Sequence, residues 1–358
     1  EEVNLQRREI VLSVETPSPS SSSAGDEKKT PSSFETKIYN DYDFVIGSDG
    51  ARSAARKALV DRYGYDYSQK YLDHDYKELT IPANADGSYK LSPHNALHIW
   101  PRGDFMMIGL PNQDGSFTMT LFMPHKNFEA INTDEEITSF FNTNFPDAVP
   151  LMPTLLEDYK RNRTGRLCTI NLFPWHHSDF LVIMGDAAHA VVPFYGQGMN
   201  ASLEDVNVFD SMFDQFGDQD IASVLEHFSV VRPKDADAIG FLSQQNYLEM
   251  RSHVTSPLFL IRSQVEKFIS RNPFLRNSLC LGYSFLPKYS MVAFSNIPYA
   301  EVIRRDKEQT ERLDLILYRL FPLSVLSLSL GVLFVPAARN QISSLVSKTL
   351  SLLSPSKK

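Results

Sequence analysis

The stretch that most constrains the fold is residues 180–216, where a strand pattern changes to a helix pattern across a loop of small residues. Residues 180–184 are a continuous apolar run, and the sixteen residues that follow read GDAAHAVVPFYGQGMN. These patterns predict a buried strand that ends at Asp186, a loop, and a helix that begins near Met199 or Asn200. The helical stretch repeats apolar residues at close to 3.6-residue spacing, at Leu203, Val206, Phe209, Met212, Phe213 and Phe216.

The ends of these two elements predict a ligand-binding edge. Asp186 stands at the carboxyl end of the strand, where a carboxylate is placed to accept hydrogen bonds from ligand hydroxyl groups. The first N–H groups of a helix lack intrahelical partners and carry partial positive charge, so they suit an anion or an electron-rich ring edge. For Gly185-Asp186 taken alone, an ordinary turn is the better explanation, and the whole sixteen-residue string is far more specific. The predicted cofactor-binding residues here are Asp186, Gly198, Met199 and Asn200.

A second string has the same organisation. Residues 42–56, YDFVIGSDGARSAAR, are a short apolar strand followed by a tight turn and a basic helix start. Taken alone, the pair Asp49-Gly50 is explained equally well by a surface turn without a ligand. Together, the two strings resemble the DG and GD flavin motifs of the class A aromatic hydroxylases, which use FAD and NAD(P)H and share the p-hydroxybenzoate hydroxylase fold. The resemblance implies that Asp49 and Gly50 belong to the cofactor site.

Other strings are similar to the kynurenine-hydroxylating branch of that family. They are PFYGQGMN, residues 244–254 and residues 285–305. The resemblance implies an FAD-dependent monooxygenase that converts L-kynurenine to 3-hydroxykynurenine with NADPH and O2. It also implies that Asn246 and Tyr289 bind the amino-acid end of the substrate. An amide and a phenol can hold a carboxylate without adding a second fixed charge.

Residues 97–124 carry a β pattern. Alternation predicts strands at 98–102, 105–110 and 117–123, and a sheet that only covers a core explains most of their side chains. In the resembling enzymes, however, this sheet roofs the substrate pocket, which must be a flat apolar slot for an aromatic ring. The residues predicted to line that slot are Ile108, Leu110, Phe122 and Phe194. The resemblance further implies a catalytic wall on the flavin face, formed by Pro193, Phe194 and Gln197.

The expected fold is a mixed α+β and α/β arrangement of the p-hydroxybenzoate hydroxylase type, with an antiparallel substrate-domain sheet and a C-terminal helical membrane anchor. None of the sixteen glycines falls in a G-x-G-x-x-G pattern, so we expect a fragment without the N-terminal dinucleotide-binding βαβ segment. The expected divisions are a partial FAD-binding domain at 1–60 with a disordered loop at 16–33, a substrate domain at 61–170, a second FAD-binding part at 171–220, a helical region at 221–318, and an anchor and tail at 319–358.

Composition excludes some functions and suggests a location. A net charge of −8 without a basic stripe argues against nucleic acid as a partner. The nine histidines and two cysteines lack the spacing of metal ligands, so no metal is expected. Residues 320–338 carry no charge, and ~19 helical residues nearly span the ~30 Å of a bilayer core; a buried or interfacial helix is the alternative. By resemblance, the anchor lies in the mitochondrial outer membrane, with the catalytic part facing the cytosol.

Two other functions stay open at this point. One is a related flavin hydroxylase of another aromatic substrate, which a position of Asn246 and Tyr289 far from the pocket would favour. The other is an inactive, truncated and membrane-attached pseudoenzyme that binds no FAD. Flavin binding distinguishes the pseudoenzyme, which would bind no FAD, from the two hydroxylases, which would bind it.

Overall fold

The computed structural model describes residues 2–16, 33–251, 257–278 and 283–315. Most of the predicted loop at 16–33 and the whole predicted anchor and tail at 319–358 lie outside these ranges. The chain divides into two compact units, Glu1–Val265 with Val292–Ala300 and Glu266–Met291 with Glu301–Lys358. The finer domain boundaries expected from the sequence stay predictions.

The secondary structure of the described residues follows the sequence patterns closely. The strands are β1 (Glu2–Asn4), β2 (Glu9–Thr16), β3 (Ser33–Tyr39), β4 (Val45–Gly47), β5 (Asp66–Ile81), β6 (His98–Pro101), β7 (Met106–Pro111), β8 (Phe117–Pro124), β9 (Gly165–Phe173), β10 (His176–His177) and β11 (Leu181–Ile183). The helices are α1 (Ala54–Tyr63), α2 (His125–Glu129), α3 (Asp134–Asn144), α4 (Leu155–Arg161), α5 (Asp186–His189), α6 (Gly198–Phe216), α7 (Ile221–Val231), α8 (Pro233–Arg251), α9 (Pro257–Arg271), α10 (Pro273–Ser278), α11 (Lys288–Phe294) and α12 (Tyr299–Asp314). Short 3-10 turns occur at Val149–Leu151 and Pro193–Tyr195.

The predicted antiparallel sheet is confirmed. Its five strands lie in the order β6-β7-β8-β5-β9, and Met106 faces Phe122 across the β7–β8 pair while Ile108 faces Thr120. Because side chains alternate along a strand, these residues share one face of the sheet. The opposite face packs against α3 and α4 in a core that includes Met119. The sheet is therefore apolar on both sides rather than solvated on one.

A smaller sheet joins the two flavin-motif strands. Its order is β10-β11-β4, and β11 runs parallel to β4 with Leu181 opposite Val45. A Cβ added to Gly47 would lie 2.6 Å from Ile183 Cδ1 and 2.7 Å from Ala55 Cβ. Only glycine permits so close an approach of strand and helix. Because β4 and β11 are parallel and adjacent, the turns that follow them leave the same edge of the sheet.

The helical regions also follow the sequence. The capping box at Thr133 and Glu136 is present at the start of α3, and α6 begins within two residues of its predicted start. The described residues of the predicted helical region at 221–318 form the helices α7 to α12. Among the helices of the described ranges, none has the length and apolar character that crossing a bilayer requires.

Candidate functional site

The two flavin-motif turns are held together by one buried side chain. Arg56 of α1 donates one guanidinium hydrogen bond to the carbonyl of Ala187 at 2.7 Å and another to the carbonyl of Ala51 at 2.6 Å. The N–H of Met184 also donates to the carbonyl of Gly47 at 3.1 Å. Hydrogen bonds from a charged donor are stronger than neutral ones. The two turns therefore form one rigid edge at the carboxyl ends of β4 and β11.

Asp186 is the one exposed residue in residues 181–190, whose other members are all buried. Gly185 precedes it with φ of +62°, a backbone conformation that glycine adopts without steric cost. No other described residue hydrogen-bonds to the Asp186 carboxylate. An open carboxylate on a rigid turn is free to accept further hydrogen bonds, and the binding of a ligand by Asp186 stays a prediction.

Asp49 is placed differently. Its carboxylate accepts hydrogen bonds from Ser53 Oγ at 2.5 Å and from the backbone N–H groups of Ala54 and Ala55 at 2.6 and 3.2 Å. These contacts satisfy unpaired donors at the start of α1 and place a negative charge at its positive end. Asp49 therefore stabilises the helix start, and its contact with a cofactor stays a prediction. Gly50 has φ of +79° and open space on its Cβ side.

The start of α6 is open to solvent. Met199 is 73% exposed and Asn200 is exposed as well. The first intrahelical hydrogen bond runs from the N–H of Ala201 to the carbonyl of Gln197, so the preceding N–H groups have no partner inside the helix. A cleft of about 590 Å³ begins here and continues between α6 and residues 292–299.

A network of buried charged side chains supports both the turn that presents Asp186 and the start of α6. Asp205 of α6 is fully buried, and it accepts hydrogen bonds from Gly185 N at 2.8 Å, His189 Nε2 at 2.6 Å and Arg232 Nε at 2.7 Å. Arg232 also donates to the carbonyl of Ala201 in the first turn of α6 at 3.0 Å. One carboxylate thus links the turn that presents Asp186 to the helix start.

Electrostatics within this network favour its charged form. Burial by itself raises the pKa of Asp205, but the hydrogen bonds and charges of His189 and Arg232 outweigh it and hold that pKa below its usual range. Burial opposes the charge of Arg232, and the contact with Asp205 raises its pKa nevertheless. His189 stacks on Trp175 with 4.9 Å between ring centroids. Asp205 and Arg232 therefore both stay charged inside the core, because the attraction between them offsets the cost of burying each charge.

The predicted substrate-lining residues largely come together. Phe122 of the sheet and Phe194 of the loop lie 4.9 Å apart between ring centroids, and Phe194 stacks on Tyr247 of α8 at 4.1 Å. Ile108 packs against the same cluster. Asn246 is buried, and its Nδ2 donates to the carbonyl of Phe194 at 2.8 Å. The structure thus places an aromatic wall between the sheet and the start of α6.

Within the first compact unit, Leu110 and Pro193 are not brought into this cluster, and Tyr289 belongs to the other unit. Leu110 shares the face of Ile108 but is 45% exposed at the end of its strand. Pro193 is exposed in the turn before α6. Tyr289 lies on α11, is 50% exposed and belongs to the second compact unit. The roles of all three stay predictions.

Sequence reasoning missed the supporting residues Arg56, Asp205 and Arg232. A sequence signal existed for Asp205, because it stands four residues before Phe209 and seven before Met212, a helical spacing that places it on the face that α6 buries. A carboxylate on the apolar face of a helix indicates a buried partner. No comparable signal marked Arg232, which lies at the end of another helix and 27 positions along the chain.

The fold is of the FAD-binding aromatic hydroxylase type. A family model described as FAD binding domain matches residues 35–213, which include both motif turns, and the chain belongs to that family. Among solved structures, the tetrameric form of 2-methyl-3-hydroxypyridine-5-carboxylic acid oxygenase is similar, with a TM-score of 0.50 and 17% identity over 64% of this chain and 61% of that one. At this identity the likeness concerns the fold alone.

Curated relatives named kynurenine 3-monooxygenase are much more similar in sequence. The relative from Flavobacterium johnsoniae is 43% identical over 73% of this chain and 57% of its own length. Those from Anopheles gambiae and Sus scrofa are each 42% identical over 77% of this chain, and 55% and 57% of their own lengths are covered. The chain thus spans a little over half the length of these relatives.

Proposed function

We propose that this protein is an FAD-dependent monooxygenase that hydroxylates L-kynurenine to 3-hydroxykynurenine, with NADPH as the electron donor and O2 as the source of oxygen. The observation that carries the proposal is that Arg56 joins the two motif turns, while the loop that follows the second turn places Phe194 against Phe122 of the sheet. The names of the relatives from bacteria, an insect and a mammal support the substrate.

The residues present fit one end of FAD. The open carboxylate of Asp186 suits the hydroxyl groups of the ribityl chain, and the unpaired N–H groups of residues 198–200 suit the electron-rich edge of the flavin ring. Asp49 and Gly50 would lie at the second turn of the same edge. Bound flavin would supply the reaction with O2, which no side chain can supply. The protein's part is to bind and orient the cofactor and to keep water out.

The aromatic cluster would receive the ring of kynurenine. Phe122, Ile108 and Phe194 offer an apolar surface to a flat ring, and Leu110 would extend it at the strand end. Pro193 and Gln197 would complete the wall on the flavin side. An apolar slot also excludes water from the reacting atoms, which limits side reactions of a reactive oxygen species.

The geometry of Asn246 suggests which part of the amino acid it contacts. Its Nδ2 donates to the Phe194 carbonyl and to Met250 Sδ, so both amide N–H groups have acceptors within the protein. The remaining group is Oδ1, which is an acceptor. Asn246 would therefore accept a hydrogen bond from the substrate ammonium. The assignment of the Tyr289 phenol to the amino-acid end of the substrate rests on the sequence resemblance alone.

A titration of the apoprotein with FAD tests the cofactor assignment. Asp186→Ala should weaken FAD binding by about 1.5–3 kcal/mol, because it removes a charged acceptor. Asp214→Ala is the matched control, since Asp214 is an exposed acid farther along α6. Quenching of flavin fluorescence gives both dissociation constants. Equal FAD affinity in the two variants would exclude Asp186 from the cofactor site. If the unaltered protein binds no FAD, the proposed FAD-dependent function is refuted.

Substrate specificity requires a separate assay. L-Kynurenine should accelerate NADPH oxidation by the FAD-loaded protein, and mass spectrometry should detect a product heavier by one oxygen atom. A hydroxybenzoate of similar ring size should not do so. FAD binding without a kynurenine product would favour a related hydroxylase of another aromatic compound.

We further propose attachment to the mitochondrial outer membrane through residues 320–338, with the catalytic part in the cytosol. This proposal rests on the sequence alone, because the segment lies outside the described residues. Family membership does not by itself imply the location, since the relatives include bacterial proteins. The full chain should sediment with mitochondrial membranes and resist extraction by high salt, which releases proteins held only by charge. Recovery in the soluble fraction would refute the attachment.

A further inference from the structure

The side-chain amide of Gln197 has a fixed orientation at the edge of the cleft. Its Oε1 accepts hydrogen bonds from Asn200 Nδ2 at 3.1 Å and from the hydroxyl of Tyr299 at 3.2 Å. Two donors use both acceptor positions of an amide oxygen. The Nε2 atom, by contrast, makes one long contact of 3.5 Å with the carbonyl of Tyr195. The Gln197 amide therefore has N–H groups available for a further hydrogen bond, whereas both acceptor positions of its oxygen are already used.

Tyr299 is held firmly enough to impose this orientation. It is the first residue of α12 and is only 8% exposed. The N–H of the next residue, Ala300, donates to Asp235 Oδ1 at 2.9 Å, and Asp235 lies 3.9 Å from the buried guanidinium of Arg232. The backbone beside Tyr299 is thus tied to the same charge network that supports the start of α6.

The hydroxyl of Tyr299 keeps its proton at every pH at which the protein would work. Burial, with a smaller contribution from Glu204, raises the pKa of Tyr299 to about 12. A neutral phenol can donate its proton to Gln197 Oε1, whereas a phenolate would repel that oxygen. The contact with Gln197 is therefore present throughout the physiological range.

We propose that Tyr299 is a positioning residue of the flavin site, whose hydroxyl turns the Gln197 amide so that N–H groups face the ligand. The ligand group would be an oxygen acceptor, such as a carbonyl on the flavin edge or on the substrate. Without the hydroxyl, the amide can rotate by half a turn and present its own oxygen to that acceptor. The inference rests on the proposed function, and it assigns a role there to a residue outside both flavin motifs.

A double-mutant cycle tests this role. Tyr299→Phe removes only the hydroxyl, Gln197→Leu removes the amide at similar volume, and the double variant removes both. Tyr159→Phe is the matched control, because Tyr159 is also buried with a pKa raised to about 12 by burial, while its hydroxyl has no hydrogen-bond partner among the described residues. The readouts are the absorption spectrum of bound FAD, the melting temperature, and kcat and KM for kynurenine.

The expected result is a shifted flavin spectrum and a five- to tenfold lower kcat in Tyr299→Phe, as for the loss of one hydrogen bond, with KM changed less than twofold. Gln197→Leu should show at least the same loss, and the double variant should be no worse than Gln197→Leu, because residues that act through one contact are not additive. The control should match the unaltered protein.

Three results would overturn the proposal. They are an unaltered flavin spectrum and kcat in Tyr299→Phe, additive losses in the double variant, and a melting temperature of Tyr299→Phe far below that of Tyr159→Phe, which would assign Tyr299 a structural role. The spectrum needs no turnover. A protein that binds FAD but does not hydroxylate kynurenine would thus refute the proposed substrate, while the spectral cycle would still decide on Tyr299.

Discussion

Replacing Asp205 by asparagine should destabilise the protein strongly. The carboxylate is fully buried and accepts three hydrogen bonds, from Gly185, His189 and Arg232. Asparagine keeps the volume but removes the charge that compensates Arg232, whose side chain is only 1% exposed. It also turns an NH2 group toward one of the three donors. Breaking a buried ion pair from one side costs about 3–5 kcal/mol.

Thermal unfolding, followed by circular dichroism, checks this magnitude. About 2 °C of melting temperature is lost per kcal/mol in a domain of this size, so Asp205→Asn should melt on the order of 6–10 °C lower. Glu204→Gln is the control, because Glu204 also pairs with Arg232, at 2.9 Å, but is 41% exposed. Exposed pairs contribute at most about 1 kcal/mol. An equal, small change in both variants would refute the reasoning that burial makes Asp205 costly to replace.

The same substitution should change the acid limb of the stability curve. The pKa of Asp205 is depressed in the folded protein, so the unfolded chain takes up the proton first as the pH falls. The stabilisation of the folded protein by the Asp205 carboxylate is therefore complete above its pKa in the unfolded chain, about 4. That stabilisation is lost as the pH falls through the lower pKa of the folded protein. Melting curves between pH 3 and 7 should flatten at the acid end in Asp205→Asn. An identical acid slope in both proteins would exclude Asp205 as its source.

Two further predictions follow from packing and from histidine burial. Gly47→Ala should cost about 1–3 kcal/mol or more, because the new Cβ would meet Ile183 and Ala55 at under 3 Å. Gly240→Ala, whose Cβ would make only ordinary contacts, should be neutral or stabilising in a melting experiment, and equal losses would contradict the packing argument. Burial lowers the pKa of His176, so stability should fall as the pH drops below about 6.5. In His176→Leu the decrease in stability at low pH should be smaller. An unchanged dependence of stability on pH would assign that decrease to other groups.

The elements themselves were predictable because local pattern decides them. Alternation predicted β7 and β8 and the face shared by Ile108 and Phe122, and the capping box predicted the start of α3. Both signals depend only on neighbours within a few residues. The role of Asp49 was different, since its carboxylate is engaged with the start of α1. Sequence spacing alone does not say whether such a turn carboxylate faces a ligand or its own helix.

The sequence by itself determined that an open carboxylate, Asp186, would follow a buried strand and precede an exposed helix start, because a period change and a glycine mark that junction. The family resemblance belongs to the same level, since short strings carry it. Only the tertiary structure decided which side chains hold this junction: Arg56 across the two turns, the pair of Asp205 and Arg232 beneath them, and Tyr299 beside the helix start. These contacts join residues up to 131 positions apart, and a charge becomes a structural link only where burial removes competing water.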